Sequence, residues 1–110
     1  ALYTHIRIFA YDDIGKPMQK TGFKQKTDFL KILAHPTRLM ILEELARGIK
    51  CVNDIEELLD VRQPNVSQHL AMLRHGGLVD FNQKGKKRCY FLTKPELIKT
   101  IVNEVNKIRR

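Results

Sequence analysis

The sequence predicts a mainly α-helical fold with a small β-hairpin (α+β), and three observations carry that prediction. Apolar residues recur at helical spacing through most of the chain from Phe23 onward. Two β-prone segments, 78–81 and 88–93, flank a polar stretch that contains Gly85, as in a hairpin. The third observation is that prolines and glycines stand where helices are expected to begin or end: Pro36, Pro64, Pro95, Gly48, Gly76 and Gly77.

Length and charge narrow the classes of function. A chain of 110 residues fits one domain, and a net charge of +8 with a pI near 9.7 implies an acidic partner. The basic residues cluster late in the chain near turn-forming residues, rather than opposite a continuous apolar stripe. Nucleic acid is therefore favoured over a membrane surface.

The compartment is expected to be the cytoplasm. No apolar run approaches the roughly 20 residues that cross a bilayer, and the first residues lack the apolar core of a signal peptide. Cys51 and Cys89 are the only cysteines, and two thiols cannot build a disulfide framework. A reducing compartment is the default for such a chain.

The elements are expected in a definite order. Residues 1–22 form an N-terminal arm, extended or partly ordered, and residues 23–110 form the domain. A first helix runs from Phe23 to before Pro36, and a second from Pro36 to Gly48. The other predicted elements are a short strand at 49–52, a third helix capped by Asn53 or Asp54, a fourth helix from Pro64 to His75, a hairpin with its tip at 82–87, and a last helix from Pro95.

The fourth helix has the pattern of a helix that reads DNA. Val66, Leu70 and Leu73 fall at four- and three-residue steps and share one buried face. The polar residues near its N-terminus lie on the other faces: Gln63, Asn65, Ser67 and Gln68. Small side chains that both donate and accept hydrogen bonds suit base edges in the major groove, although simple solvation would also explain them.

The basic hairpin decides between those two interpretations. Between residues 61 and 94 there is a single acid, Asp80, against seven bases: Arg62, Arg74, Lys84, Lys86, Lys87, Arg88 and Lys94. Basic runs are often only solubility features. This one lies at a hairpin beside a recognition-type helix, so we expect Lys84, Lys86, Lys87 and Arg88 to contact phosphates of double-stranded DNA.

Three segments in this order resemble the ArsR/SmtB family: 33–42 (LAHPTRLMIL), 66–74 (VSQHLAMLR) and 77–79 (GLV). The resemblance covers roughly residues 23–108. It implies a homodimeric winged helix-turn-helix protein that represses an operon until an inducer lowers its DNA affinity. Within these segments, His35 to Arg38 are expected to cap and pin the second helix, with Arg38 as an internal ion-pair residue rather than a DNA contact. His69 is expected to pack or contact phosphate, and Arg74 joins the DNA-contact set.

A homodimer also follows from the last helix, whose apolar stripe is too wide for one small domain to cover. The predicted interface combines that stripe with first-helix residues: Phe29, Leu30, Ile98, Ile101, Val102 and Val105. Two-fold symmetry would place two recognition helices about one DNA turn apart on a palindromic operator. The alternative is a last helix folded entirely against its own domain.

The sensing chemistry is left open by the sequence. Members of this family often bind metals through cysteines near the third helix, but Asn53 stands where a second cysteine would be, and the last helix has no histidine. No metal site or cofactor is predicted. The fold would pair the strand of Cys51 with the strand of Cys89, which permits redox or reactive-sulfur sensing. Inert buried thiols and a thiophilic metal or metalloid are the alternatives.

Two other classes of protein fit less well. An enzyme is not predicted, because the sequence has no phosphate-binding glycine loop, nucleophile motif or paired carboxylates in a cleft. A winged helix used only for protein contacts would have an acidic or apolar hairpin. The basic segment 84–88 disfavours that alternative.

Overall fold

The structure, a computed structural model, describes residues 20–59 and 65–108. The chain divides into two compact units, residues 1–30 and 31–110, with the division inside the first helix. The described part of the first unit is the helical segment 20–30. The elements are α1 Lys20–Leu33, α2 Pro36–Ala46, β1 Lys50–Cys51, α3 Val52–Leu59, α4 Asn65–His75, β2 Val79–Lys84, β3 Lys87–Leu92 and α5 Pro95–Asn106.

A three-stranded antiparallel sheet of order β1-β3-β2 supports the wing, by which we mean the β2–β3 hairpin. β1 pairs with β3 so that Cys51 lies opposite Cys89, and β2 pairs with β3 over six residues from Val79 to Lys84. The short third strand thus ties the wing to the start of α3. This mainly helical fold with a small sheet is the winged helix-turn-helix that the sequence predicts.

The core of the second unit lies where its helices meet the sheet. Helix α2 packs against α3, α4, α5 and β3, so it is the central helix of this unit. The largest fully buried side chains come from every part of it: Ile41, Leu42, Ile55, Val66, Leu70, Leu73, Leu78, Val79 and Ile98. Burying a Leu or Ile side chain stabilises a fold by about 1.5–3 kcal/mol. Helix α4 is therefore anchored by its apolar face.

The start of α2 is capped as the sequence predicts. The Thr37 backbone N–H donates to His35 Nδ1 at 3.1 Å, and Pro36 occupies the first helical position. Arg38 turns inward and donates to the carbonyl oxygen of Ile32 at 3.1 Å and to His69 Nδ1, so its described partners are neutral acceptors rather than the carboxylate of the expected ion pair. These contacts join the end of α1 to α2 and confirm the capping role expected of the His35–Arg38 segment.

The starts of two helices differ from the sequence-based prediction. Helix α1 begins at Lys20 rather than Phe23, because Gly22 is tolerated in its first turns and has open space around it. Helix α3 begins at Val52, directly after β1, so Asn53 and Asp54 lie inside it and do not precede it as caps. The prediction of a cap at Asn53 or Asp54 was therefore wrong.

The hairpin is longer and its turn shorter than predicted. The strands extend to Lys84 and Lys87, which leaves Gly85 and Lys86 as a two-residue turn with Gly85 at φ 62°. Glycine at the first position of such a turn supplies the positive φ that the twist of a hairpin requires. Residues 82–84 were predicted as loop because they are all polar. They are polar because this outer part of the hairpin is exposed to solvent, so no apolar alternation marks the strand.

The arm predicted for residues 1–22 lies outside the described residues, apart from its last three residues, which begin α1. The predicted tight connection before α4 also lies outside them, including Arg62, Gln63 and Pro64. Within the described ranges, no helix combines the length and the apolar character needed to span a bilayer.

Candidate functional site

Helix α4 separates its residues into a buried face and an outward face. Val66, Leu70 and Leu73 are completely buried. The remaining residues of its N-terminal half, Asn65, Ser67 and Gln68, are exposed. The predicted base-reading residues therefore lie together at one end of an anchored helix, with Gln63 outside the described part of the chain.

His69 is oriented by α2. The Arg38 Nε–H donates to His69 Nδ1 at 3.2 Å, and the rings of His35 and His69 have centroids 4.3 Å apart. Burial, followed by the nearby charges of His35 and Arg38, lowers the pKa of His69. His69 is thus a half-buried link between α4 and α2, whose Nδ1 accepts the hydrogen bond from Arg38.

The end of α4 is linked to the wing by a glycine turn. Gly77 has φ 79°, its N–H donates to the Arg74 carbonyl at 2.9 Å, and the Leu78 N–H donates to the Leu73 carbonyl at 3.0 Å. This pair of bonds is a Schellman motif. The Thr93 hydroxyl, at the end of β3, donates to the Gly77 carbonyl at 2.6 Å. The recognition helix and the wing are therefore held in a fixed relation.

The tip of the wing carries three exposed lysines: Lys84, Lys86 and Lys87. Lys84 and Lys87 lie directly opposite each other across the two strands. Like charges in that arrangement repel each other, and none of the described carboxylates forms an ion pair with these lysines. Among the described residues, the tip is therefore a concentrated positive charge with no carboxylate paired to it.

The arginines at the base of the wing are engaged within the protein. The Arg74 guanidinium lies 4.5 Å from the centroid of the Phe81 ring, and the Arg88 guanidinium lies 4.6 Å from the same centroid. Arg74 Nε also donates to Asp80 at 3.1 Å. The Phe81 backbone N–H and Arg74 together lower the pKa of Asp80. Arg74 is thus held by Asp80 and Phe81 on the surface between α4 and β2.

Cys51 and Cys89 form a disulfide between β1 and β3. The two residues lie at directly opposite positions of the β1–β3 ladder, the pairing of strands that the sequence analysis expected. Cys89 is buried, whereas Cys51 is partly exposed. The bond joins the residue just before α3 to the strand that carries Lys87 and Arg88, so the cysteine pair lies two residues along β3 from the tip of the wing.

The apolar stripe of α5 is partly covered by the chain itself. Ile98 and Val102 are buried and Ile101 is half-buried, while Val105 is exposed. Further exposed apolar side chains on or just after α5 are Leu97 and Ile108. Of the predicted first-helix partners, Leu30 is exposed and Phe29 is half-buried.

Ligands for a metal are scarce in the part of the chain that the structure describes, where no three His, Cys, Asp or Glu side chains come together. His35 and His69 approach each other, but each uses its Nδ1 as a hydrogen-bond acceptor. Cys51 and Cys89 are consumed in the disulfide.

Sequence reasoning missed the residues that organise the base of the wing. Asp80 was noted only as the single acid, and Phe81 and Thr93 were not considered. A signal existed for Phe81, since it lies opposite Tyr90 in the ladder, where strands favour aromatic pairs; the two rings are 5.3 Å apart. The contact of Arg74 with Phe81 depends on the angle between α4 and the hairpin, which no local pattern reports.

Comparisons with known proteins agree with this architecture. Residues 35–80 match the family model described as bacterial regulatory protein, arsR family. A biofilm growth-associated repressor of Agrobacterium fabrum is 39% identical over 92 residues, which are 81% of this chain and 79% of that protein.

Two solved structures are similar over most of their length. The transcriptional repressor BigR of Xylella fastidiosa has a TM-score of 0.71 and 29% identity, covering 83% of this chain and 94% of that one. A homodimeric winged helix-turn-helix DNA-binding domain from Mycobacterium bovis has a TM-score of 0.72 and 26% identity, covering 84% and 90% of the two chains. The fold, the order of the motifs and the identity to these relatives establish that the chain belongs to the ArsR family of bacterial regulatory proteins.

Proposed function

We propose that the chain is a homodimeric transcriptional repressor that binds a palindromic operator and works in the cytoplasm. Asn65, Ser67 and Gln68, together with Gln63, read base edges in the major groove. The lysines of the wing tip contact the flanking phosphates. The observation that carries this proposal is a helix with exposed small polar side chains, joined through Gly77 to a hairpin whose tip is positive charge with no described carboxylate paired to it.

Electrostatics support the wing tip as the main phosphate contact. Lysines that bind DNA phosphates release condensed counterions, so the affinity falls as the salt concentration rises. The logarithm of the binding constant falls against the logarithm of the salt concentration with a slope of about 0.9 for each phosphate neutralised. Lys84, Lys86 and Lys87 are exposed and unpaired with described carboxylates, so they reach a phosphate without breaking an internal contact. Arg74 and Arg88 would first have to leave Phe81, so we assign them a secondary part in binding.

A homodimer is supported by the apolar surface that α5 leaves uncovered. Leu97, Val105 and Ile108 are between 41% and 73% exposed, which is uncommon for three neighbouring apolar positions of one small domain. Ile98 and Val102 belong to the core, so their part in the interface is to support Ile101 and Val105 from below. Leu30, which is exposed, and Phe29, which is half-buried, are the first-helix residues of the predicted interface.

Regulation is proposed to act through Cys51 and Cys89. Disulfides of cytoplasmic proteins are usually transient and catalytic or redox-sensing. Here the bond ties the first residue before α3 to the strand that leads into the wing. Opening it removes a covalent tie between the helix pair and the wing lysines, and this change is proposed to alter DNA affinity.

Selection of genomic fragments on immobilised protein tests the DNA-binding part. The enriched fragments should share an inverted repeat with half-sites about 10–10.5 base pairs apart, and affinity for them should fall steeply with salt. The double variant Lys86→Gln, Lys87→Gln should weaken this binding, and Lys99→Gln, which removes an exposed lysine from α5, is the control for loss of charge away from the wing. A monomer with no salt-sensitive affinity for any duplex would contradict the proposal and favour a winged helix used for protein contacts.

Comparison of the disulfide and dithiol forms on the same duplex tests the regulatory part. The two forms should differ severalfold in affinity, and Cys51→Ser and Cys89→Ser should abolish the difference. Equal affinities would mean that the cysteines are inert with respect to DNA. A response of the dithiol form to a thiophilic metal or metalloid alone would replace the redox proposal with the metal alternative.

A further inference from the structure

A cleft of about 250 Å³ opens beside the disulfide, between the start of α3 and the tip of the wing. Its lining consists of Cys51, Val52, Asn53, Lys86, Lys87 and Arg88. A water molecule occupies about 30 Å³ of liquid, so the cleft has room for a small organic molecule. The lining therefore combines one cysteine of the disulfide with a run of three consecutive cations.

The charge of the cleft is one-sided. None of its six lining residues is an acid, and the nearest carboxylate in sequence, Asp54, is exposed outside it. Lys87 precedes Cys89 by two positions on β3, so both side chains project from the same face of the strand. A cleft lined by charges of one sign focuses its field and concentrates ions of opposite sign.

The two sulfurs are not equally accessible. Cys51 lines the cleft and is partly exposed, whereas Cys89 is 7% exposed and lies in the core. An incoming thiolate can therefore approach Cys51 Sγ from the cleft. In thiol–disulfide exchange the rate depends on which sulfur can be attacked as well as on the thiol itself.

We propose that this cleft is a binding site for small anionic thiols, which it directs onto Cys51 of the disulfide. The thiolate of a carboxylate- or sulfonate-bearing thiol forms a bond to Cys51 Sγ while the Cys51–Cys89 bond breaks. Cys89 leaves as a thiolate and takes a proton from water. A second thiolate then attacks the mixed disulfide and releases the small disulfide and the Cys51 thiolate. Two thiols are oxidised and one protein disulfide is reduced.

This inference rests on the thiol-sensing part of the proposed function and adds the class of the reductant and the sulfur attacked. It also has a consequence for regulation. Lys86 and Lys87 are assigned both to DNA phosphates and to the cleft, so an anion in the cleft and a phosphate on the wing compete for the same charges. Such coupling is reciprocal, so bound DNA should slow the exchange.

The test is a comparison of three small thiols on the oxidised, DNA-free protein. The thiols are 2-mercaptoethanesulfonate (anionic), 2-mercaptoethanol (neutral) and cysteamine (cationic). Each opening rate is divided by the rate of the same thiol on bis(2-hydroxyethyl) disulfide, which cancels differences in thiolate fraction and nucleophilicity. At about 0.01 M salt, where the Debye length is about 30 Å, the normalised rate should be on the order of tenfold higher for the anionic than for the neutral thiol. The cationic thiol should be the slowest.

Variants and trapping make the test specific. The double variant Lys86→Gln, Lys87→Gln should remove most of the preference for the anionic thiol, as should about 1 M salt, where the Debye length is about 3 Å. Lys99→Gln should keep the preference. After quenching with N-ethylmaleimide, peptide mass spectrometry should find the small thiol on Cys51 and the maleimide on Cys89.

Three results would overturn the inference. The first is equal normalised rates for the three thiols, and the second is the small thiol on Cys89. The third is a protein in which oxidation does not produce the Cys51–Cys89 bond. Because no DNA is present, a charge preference with no difference in DNA affinity between the thiol forms would refute the regulatory proposal alone.

Discussion

The tip and the base of the wing carry the same sign of charge but use it differently. Lys84, Lys86 and Lys87 at the tip are exposed and without described acidic partners, whereas Arg74 and Arg88 at the base lie against Phe81. A lysine is a strongly hydrated point charge on a flexible stem, while an arginine is planar and stacks on aromatic rings. The number of basic residues in the sequence therefore overestimates the positive charge that is free to contact a ligand, because Arg74 and Arg88 are engaged with Phe81.

The largest expected effect comes from removing charge at the tip. The double variant Lys86→Gln, Lys87→Gln should lower the salt slope of DNA binding by about 2, because each lysine that contacts a phosphate contributes about 1. Fluorescence anisotropy on one duplex at several salt concentrations measures the slope. If Arg74→Gln lowers the salt slope as much as the tip variant does, the proposed difference between the tip lysines and the base arginines is contradicted.

The second largest effect is expected on the stability of the fold when the glycine turn between α4 and the wing is changed. Gly77→Ala places a side chain at φ 79°, which should cost about 1–2 kcal/mol of unfolding free energy. Gly22→Ala is the matched control, because Gly22 lies inside a helix with open space around it and alanine is the better helix former there. Urea unfolding of both variants measures the two costs. Equal stabilities would show that the turn at Gly77 is not under this constraint.

A smaller effect is expected at the base of the wing. Arg74→Lys keeps the charge but loses the planar contact with Phe81 and the geometry of the bond to Asp80. We expect a loss of about 0.5–1 kcal/mol in unfolding free energy, the range of exposed cation–π contacts and surface ion pairs. The salt slope of DNA binding should stay the same. A changed slope with unchanged stability would mean that Arg74 is a phosphate contact after all.

The smallest effect concerns pH. His69 has a lowered pKa in the folded protein, so below its unfolded value near 6.5 the unfolded chain binds more protons than the folded chain. The His69 contribution to stability is thus complete above that value and is lost as the pH falls from it toward the folded pKa. His69→Gln should weaken the fall in melting temperature across this window, since glutamine can still accept from Arg38. An unchanged pH profile would assign that fall to other groups.

The sequence predicted the structure correctly wherever a single pattern determines a single helix or strand. The buried face of Val66, Leu70 and Leu73, the proline starts of α2 and α5, and the pairing of Cys51 with Cys89 all follow from periodicity, proline chemistry or the resemblance to the ArsR/SmtB family. That family, and a regulator rather than an enzyme, are confirmed by the comparisons.

The sequence-based predictions failed where two local signals competed for one boundary and where the structure depends on packing between distant segments. Asn53 and Asp54 are good caps, yet α3 starts at Val52 because the preceding strand leads directly into it. The contacts of Arg74 with Phe81 and of Arg38 with His69 join residues on different elements, so neither is visible to a local pattern. The DNA and dimer contacts remain predictions.

The central claim is that the N-terminal half of α4 and the tip of the wing meet one duplex together. Backbone amide chemical shifts of the protein, recorded while an enriched duplex is added, test it most directly. We expect the largest changes on Asn65 to Gln68 and Lys84 to Lys87, with little change along α5. Largest changes on Leu97 to Val105, with an undisturbed wing, would contradict it.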